Sequence, residues 1–380
     1  MCRSAKVIEG RTLNIGVSAR ATVFDVVVAG AGPAGSIAAR SLSCAGLRVL
    51  MLDRLHPVIP RLGETLPGAA RRLLVREGLG GLLADDAGHA PVTGGLVVWG
   101  TDNIVASDAL RDPYGPGLRL NRPMFDGALR QASISAGCQW SQTNLCGLEQ
   151  YEGDWIVYRD EGPPVRSRII IDATGRSARL IRLLGQPRRR GKPLVALYQV
   201  ARPEKNAQME RTLIEARPDG WIYAGKLGDG RWAIGYHTQP EDAARLLACD
   251  AERSDIFTKT QHIATYLGRL TWEGQIVARD ARSLVVKTAC GPGWFAVGDA
   301  ALAFDPIAGQ GLFNALRTGL AASEAILRGP EAGSTAYAEE LGRVAEIYFA
   351  RRQALYSSES RWPDHAFWRG QRSYTSGPLA

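Results

Sequence analysis

VFDVVVAGAGPAGSIAARSLSCAGLRVLMLD, residues 23–53, reads as one strand–helix–strand unit. The Val-rich run 24–29 suits a strand buried on both faces of a parallel sheet. Gly30, Gly32 and Gly35 follow at once as G-x-G-x-x-G, and small residues including Ala34 carry a helix to a stop near Gly46. Residues 47–52 form a second strand ending on Asp53. Gly30 permits the tight turn, Gly32 lets backbone approach a pyrophosphate, and Gly35 lets helix and strand pack closely. The helix N-terminus then turns free N–H groups and a favourable dipole toward that anion. An acid about 20 residues on suits a ribose diol, and Asp53, followed by Arg54, stands there. The unit therefore reads as a dinucleotide site.

The rest of the chain sets bounds. At 380 residues and 45% apolar content it is long enough for a large core in two interleaved parts. No apolar run is long enough to span a bilayer, and the basic residues 1–22 lack the apolar centre of a signal peptide, so they read as a loose tail. Six cysteines without metal spacing suggest reduced thiols in a cytoplasmic protein. The net charge of +8 is dispersed. Its one dense run, Arg188, Arg189, Arg190 and Lys192, sits among Pro and Gly and is expected to be a solvated loop. No nucleic-acid-binding signature accompanies it.

Further along, residues 69–77, 120–137, 241–247, 255–267, 312–327 and 337–359 show helical spacing. Residues 92–99, 194–200 and 211–215 are strand-like, and 101–118 reads as a connector. WIYAGKL (221–227) and RWAIGY (231–236) form a hairpin pattern around Gly228-Asp229-Gly230.

A second glycine fingerprint occupies residues 294–316, WFAVGDAALAFDPIAGQGLFNAL. Its strand ends at Gly298-Asp299, which can aim a carboxylate at a polyol. Pro306 and the Gly309-Gln310-Gly311 turn then open another helix with exposed N–H groups. Together with the first fingerprint and Asp172-Ala173-Thr174-Gly175, this chain resembles the FAD-dependent monooxygenases of the p-hydroxybenzoate hydroxylase type, a superfamily that includes flavin-dependent halogenases. The resemblance implies an α/β fold: a Rossmann-like FAD-binding domain interleaved with a β-rich substrate domain and a C-terminal helical segment. It divides the chain into a tail (1–22), an FAD-binding domain (23–90, 119–190 and 275–330), a β-rich substrate domain (91–118 and 191–274) and C-terminal helices (331–380). It implies that Gly30, Gly32, Ala34 and Gly35 hold the FAD pyrophosphate and that Asp53, with Arg54, serves the adenosine ribose. Arg122 would reach FAD, Asp299 would bind the ribityl chain, and Pro306 with Gly309, Gln310, Gly311 and Leu312 would line the isoalloxazine. There is no second nucleotide fingerprint, so NAD(P)H would bind transiently or a partner reductase would deliver electrons.

Within that superfamily, GETLP (63–67), GWIYAGKL (220–227) and RWPDHAFWRGQR (361–372) look most like the halogenase-like flavoproteins that mature tryptophylquinone cofactors, acting on a tryptophan held in another protein. Halogenases of the superfamily carry an essential lysine after the G-E-x-x-x-P loop and a G-W-x-W-x-I-P segment. Here no lysine lies between Lys6 and Lys192, and Tyr223, Gly225 and Lys226 replace Trp, Ile and Pro. The resemblance therefore implies a monooxygenase working through a flavin C4a-hydroperoxide on an aromatic substrate, tryptophan or indole, free or carried by a protein or peptide. The alternatives are a flavin reductase, oxidase or halogenase acting on a small natural product, and an FAD-containing maturation chaperone. Trp221, Tyr223, Trp232 and Tyr236 are candidates for the substrate wall, by stacking on a ring. Glu64 and His237 are candidates for acid–base work.

Overall fold

The computed structural model describes residues 22–54, 64–204, 209–249 and 256–374. The basic tail before residue 22, and Gly63 of the GETLP segment, lie outside the described residues.

Strand β1 (Val23–Ala29) is the hub. Val26, Val27 and Val28 are completely buried, each contributing about 1.5–3 kcal/mol of hydrophobic stabilisation. Helix α1 (Pro33–Cys44) crosses to β2 (Val49–Leu52), which runs parallel to β1 in the register Val26↔Val49 to Ala29↔Leu52. On the other side β1 pairs in parallel with β3 (Val165–Asp172), from Val23↔Arg166 to Ala29↔Asp172. The carboxyl half of β3 pairs in parallel with Trp294–Ala296, while its amino half pairs with the hairpin strand Asp154–Arg159. Leaving β1, the chain builds outward on one side and returns on the other, so strand order reverses there and a crevice opens at the carboxyl ends of the strands.

A seven-stranded sheet forms the second layer. Its central strands are β4 (Val195–Pro203), β5 (Arg211–Arg217), β6 (Gly220–Lys226) and β7 (Trp232–Thr238). The order is Leu270–Asp280, β4, β7, β6, β5, Gly94–Val98 and Val105–Asp108. The expected hairpin is β6–β7, closed by the Leu227 N–H donating to the Arg231 carbonyl at 2.7 Å. Helix α2 (Gly311–Arg328) lies on α1, where Ser323 Oγ donates to the Ala38 carbonyl at 3.3 Å. Helix α3 (Pro330–Ser358) and the short helix Ala366–Arg372 complete the chain as a C-terminal helical segment.

Three local expectations are corrected. The Arg188–Arg190 run is a strand, paired antiparallel with Leu284–Val286, because ladder hydrogen bonds there outweigh its charge density. The 101–118 connector contains the edge strand Val105–Asp108 and the strand Gly117–Arg119. The helix expected over 255–267 is interrupted: Ile263–Leu267 is helical and residues 259–262 are not. The buried Glu215 carboxylate accepts the N–H groups of Gln261, His262 and Ile263, which caps a new helix there instead of letting one continue.

Candidate functional site

Parallel pairing delivers the ends of β1, β2, β3 and Trp294–Ala296 to one edge of the first sheet. At Gly30, φ is +109° and an added Cβ would stand 2.2 Å from the Ala173 carbonyl oxygen. At Gly35 it would meet the Gly30 carbonyl oxygen at 1.9 Å, so only hydrogen fits. Gly32 is the N-cap of α1 and provides no capping side chain, leaving the first N–H groups, including that of Ala34, for an anion. Asp53 sits at the carboxyl end of β2, and its Oδ2 accepts the Ala31 N–H at 2.7 Å, bracing the glycine turn. Arg54 lies beside it with its guanidinium 3.5 Å from Asp160.

The second fingerprint meets the first. A Cβ on Gly298 would touch the Ala34 Cβ at 3.0 Å, so the end of Trp294–Ala296 abuts the start of α1. Asp299 follows, 3.7 Å from the Arg176 guanidinium. Arg176 is tied down by its own bonds to the Arg282 and Phe304 carbonyls at 2.7 and 2.9 Å. Pro306 opens a short helical turn, Gly309 ends it in the left-handed conformation, and Gln310 caps α2 without a side-chain bond. Two helix N-termini therefore face this edge with uncapped N–H groups. Gly311 begins α2, and the Leu312 side chain is buried with Leu66 and Leu316 in one apolar cluster.

Arg122 links this edge to Glu64. Its guanidinium is 4% exposed and lies 2.7 Å from the Glu64 carboxylate and 3.0 Å from Asp126. Burial works against its charge, but Glu64, Asp126 and more distantly Asp299 outweigh that, holding its pKa above the ordinary guanidinium range. Glu64 itself is half exposed, anchored by its carbonyl accepting the Leu120 N–H at 3.1 Å.

The seven-stranded sheet turns one face to this assembly. Directly opposed residues in a ladder share a face. Tyr198, Gly235 and Tyr223 form one row across β4, β7 and β6, and Ala196, His237 and Trp221 form the next. Tyr198, Tyr223, Trp221 and Ile307 of the second fingerprint belong to one apolar cluster. The Tyr198 ring leans over Gly235, where an added Cβ would meet it at 2.4 Å. Burial first, then the charge of Glu64 and Tyr223, push the Tyr198 phenol above its usual range.

Register corrects two expectations. Trp232 and Tyr236 lie on the opposite face, with Ile222, Ala224 and Ile234, in a cluster closed by Ala243, Leu246 and Ile263. The period of two was read correctly within each strand, but β7 pairs with β6 in the phase that puts His237, not Tyr236, beside Trp221. His237 is a third correction. Its ring stacks on Trp221 at 3.6 Å and its Nε2 lies 2.9 Å from Tyr198 Oη. Burial pulls its pKa down to about 3, against a weaker opposing bond to the Trp221 backbone, so it stays neutral and backs Tyr198 rather than reaching the site itself.

Arg119, Tyr198 and Arg176 were missed from sequence. Arg119 is 1% exposed and bonds Tyr223 Oη, the Lys226 carbonyl, Thr65 Oγ1 and Thr212 Oγ1. Its only signal was an arginine between Leu118 and Leu120. Tyr198 had no signal, since a tyrosine in an apolar strand is ordinary. Among the described residues no cluster of His, Cys, Asp and Glu is arranged to hold a metal, and no helix is long and apolar enough to cross a membrane.

Two uncapped helix N-termini, a glycine cradle with no room for Cβ and an acid at the end of β2 fit FAD. Residues 23–325 match the family described as FAD binding domain. A protein of Marinomonas mediterranea, provisionally named FAD-dependent oxidoreductase LodB, is 24% identical over 93% of this chain and 98% of its own length. Among solved structures, the myxobacterial chondrochloren halogenase CndH superposes with a TM-score of 0.80 at 25% identity, covering 93% of this chain and 87% of its own. QhpG, a peptidyl tryptophan dihydroxylase essential for tryptophylquinone cofactor biogenesis, shares the fold with a TM-score of 0.70 at 24% identity, over 93% and 79%. The chain thus belongs to the FAD binding domain family and is an FAD-dependent oxidoreductase with the fold of the flavin-dependent halogenases and monooxygenases.

Proposed function

We propose that this oxidoreductase is a monooxygenase that hydroxylates an aromatic ring, tryptophan or indole, free or carried by a protein or peptide. NAD(P)H or a partner reductase supplies its electrons. The observation that carries the reading is the Tyr198–Gly235–Tyr223 row. Two phenol rings flank a glycine on the sheet face turned toward Ile307 and the second glycine turn. Such ring faces offer stacking to an indole, and the apolar sheet behind them excludes water.

FAD, held by Gly30, Gly32, Ala34, Gly35, Asp53, Arg122, Asp299 and the 306–312 turn, supplies the activated oxygen when bound. The chain's own work is to bind the ring, orient it and take up a proton. Glu64 is half exposed and held at 2.7 Å by Arg122, which places its carboxylate to accept a proton from a ring N–H or O–H. The fold shared with QhpG supports a tryptophan substrate. Against halogenation stand the absence of any lysine between Lys6 and Lys192 and the Gly225 slot, which Arg119 fills.

Incubation with NAD(P)H or a reductase, isotopically labelled oxygen and a tryptophan-containing peptide tests the proposal by mass spectrometry. The expected product gains one or two labelled oxygen atoms. A halogen isotope pattern, or an unchanged mass despite reduced flavin, would overturn it.

A further inference from the structure

Four of the nine tryptophans, Trp221, Trp99, Trp368 and Trp362, gather in one small apolar cluster. The His237 ring stacks on Trp221 at 3.6 Å, and the Trp99 ring stands 6.5 Å from Trp221. Trp368 follows 5.1 Å from Trp99, and Trp362 lies 6.0 Å from Trp368, centroid to centroid. The series starts at a fully buried ring, in the cluster that holds Ile307 of the second glycine turn, and ends at a partly exposed one. Its last two members come from RWPDHAFWRGQR, a segment to which the oxygenase reading assigns no task.

Filling space does not require this. Apolar side chains would pack such a core without a polar N–H to satisfy. Each of the inner three rings has one to place instead. Trp221 donates to Tyr356 Oη at 3.3 Å, Trp99 to the Leu355 carbonyl at 2.8 Å and Trp368 to the Arg217 carbonyl at 2.8 Å. What tryptophan offers and aliphatic side chains lack is an electron that is easily removed, and rings in edge or face contact exchange it readily.

We propose that Trp221, Trp99, Trp368 and Trp362 form a chain that carries oxidising equivalents from the flavin site to the surface, sparing the site from its own oxygen chemistry. The inference rests on bound FAD, not on which ring is hydroxylated. The step is a one-electron exchange. An oxygen-centred radical at the site takes one electron from Trp221 and becomes the corresponding anion, leaving a Trp221 radical cation that keeps its proton. Trp99 refills Trp221, Trp368 refills Trp99 and Trp362 refills Trp368, so no atom moves until the hole reaches Trp362. There the Arg361 guanidinium lies 4.3 Å over the ring and opposes a second positive charge, so the N–H proton leaves to water. A thiol then restores Trp362 by giving up its S–H hydrogen atom and becoming a thiyl radical. Tyr356, 6.1 Å from Trp99, is bypassed. Its hydroxyl donates to Asp305, and passing the proton there would strip buried Arg352 of its anion.

A light flash on the oxidised holoenzyme tests this, because excited FAD is itself a one-electron oxidant and needs no substrate. In the wild type the flash is expected to give a tryptophan radical, seen by transient absorption, whose lifetime added thiol shortens. In Trp99→Phe, compared at equal flavin content, the hole should stay on Trp221 and decay by return of the electron whatever the thiol concentration. After prolonged illumination in air without thiol, peptide mass spectrometry should find oxidation at Trp362 in the wild type and its loss there in Trp99→Phe. Trp140 and Trp272, partly buried like Trp362 but outside the cluster, report diffusing oxidants and should be spared in both proteins. If Trp99→Phe fails to fold, Trp362→Phe, altered at the rim, decides: it should abolish the thiol effect and move oxidation inward to Trp368. Absence of a tryptophan radical in the wild type, a thiol-insensitive one, or Trp362 oxidised to the same extent in Trp99→Phe overturns the proposal and leaves the monooxygenase reading as it stands.

Discussion

The Asp305 carboxylate and the Arg352 guanidinium meet at 3.1 Å, with the two side chains 1% and 3% exposed. Asp305 belongs to the second glycine fingerprint and Arg352 to α3. The same carboxylate accepts the Tyr356 hydroxyl at 2.9 Å and the Ile307 N–H at 3.1 Å. Arg352 also bonds the Gln371 side chain, whose amide reaches the Pro193 carbonyl at 3.1 Å. The C-terminal helices are thus bonded to the loop that begins α2. Asp305→Asn leaves Arg352 buried without its anion, and the expected loss is about 3–5 kcal/mol of unfolding free energy. Denaturant titration checks this, and the double change Asp305→Leu with Arg352→Met should recover much of the loss. A single variant as stable as wild type would show the pair to be dispensable.

His237 gives the fold a defined acid sensitivity. Its pKa falls from 6.5 to about 3 on folding, through burial first. Between those values the unfolded chain binds a proton that the folded one refuses, so stability drops as pH falls. The full effect is absent above pH 6.5 and complete near pH 3. The slope from this group is about 1.4 kcal/mol per pH unit. Unfolding free energies measured at several pH values should show this slope in the wild type, and His237→Asn should flatten it. Neutral His237 should also leave the rate profile near neutrality without an imidazole limb. A wild type with no extra slope relative to the variant would mean that His237 is accessible to protons.

The dinucleotide unit was legible because its constraints are local. Gly30, Gly35 and Asp53 are fixed by a turn, a close contact and a strand end, all within one short segment. The second fingerprint was readable for the same reason. What was not legible depends on strand phase and on distant packing. Whether Tyr236 or His237 stands beside Trp221 is set by how β6 and β7 register, which the turn residues alone did not determine. Arg119 meets Tyr223 only because two separate sheets come together there. The Arg188–Arg190 strand was hidden by its charge, since its pairing partner, Leu284–Val286, lies far along the chain.

Gly35→Ala tests the cradle most directly. The new methyl would lie 1.9 Å from the Gly30 carbonyl oxygen and 2.9 Å from the Ala173 Cβ. Neither the turn nor β3 can yield without moving the end of β1. Purified variant protein should carry little flavin, read from the ratio of flavin to protein absorbance, and added FAD should not restore it. A yellow variant with normal flavin content would show that this contact does not shape the pyrophosphate site.

Glu64→Gln separates chemistry from cofactor binding. The change removes one of two carboxylates on Arg122 and leaves Asp126 at 3.0 Å, so the guanidinium keeps a half-buried carboxylate partner. Flavin content should therefore hold, while kcat falls on the order of a hundredfold if Glu64 accepts the proton. KM should move less than kcat, because the ring walls are untouched. An unchanged kcat would reduce Glu64 to an anchor for the 64–66 segment.

Trp232→Ala examines the assignment of faces. Trp232 is fully buried in the cluster behind the sheet, against Leu246 and Ile263, with the sheet backbone between it and the Tyr198–Gly235–Tyr223 row. Emptying that site leaves a large cavity and should cost about 3–5 kcal/mol of stability. At a temperature where the variant is still folded, its KM and product distribution should match the wild type. Tyr223→Phe removes an acceptor from buried Arg119, so it is expected to cost less stability, about 1–3 kcal/mol, and to raise KM. The contrast follows only if the two strands lie in the register Trp221↔His237, since a shift of β7 by one residue would bring Trp232 onto the face of Tyr223.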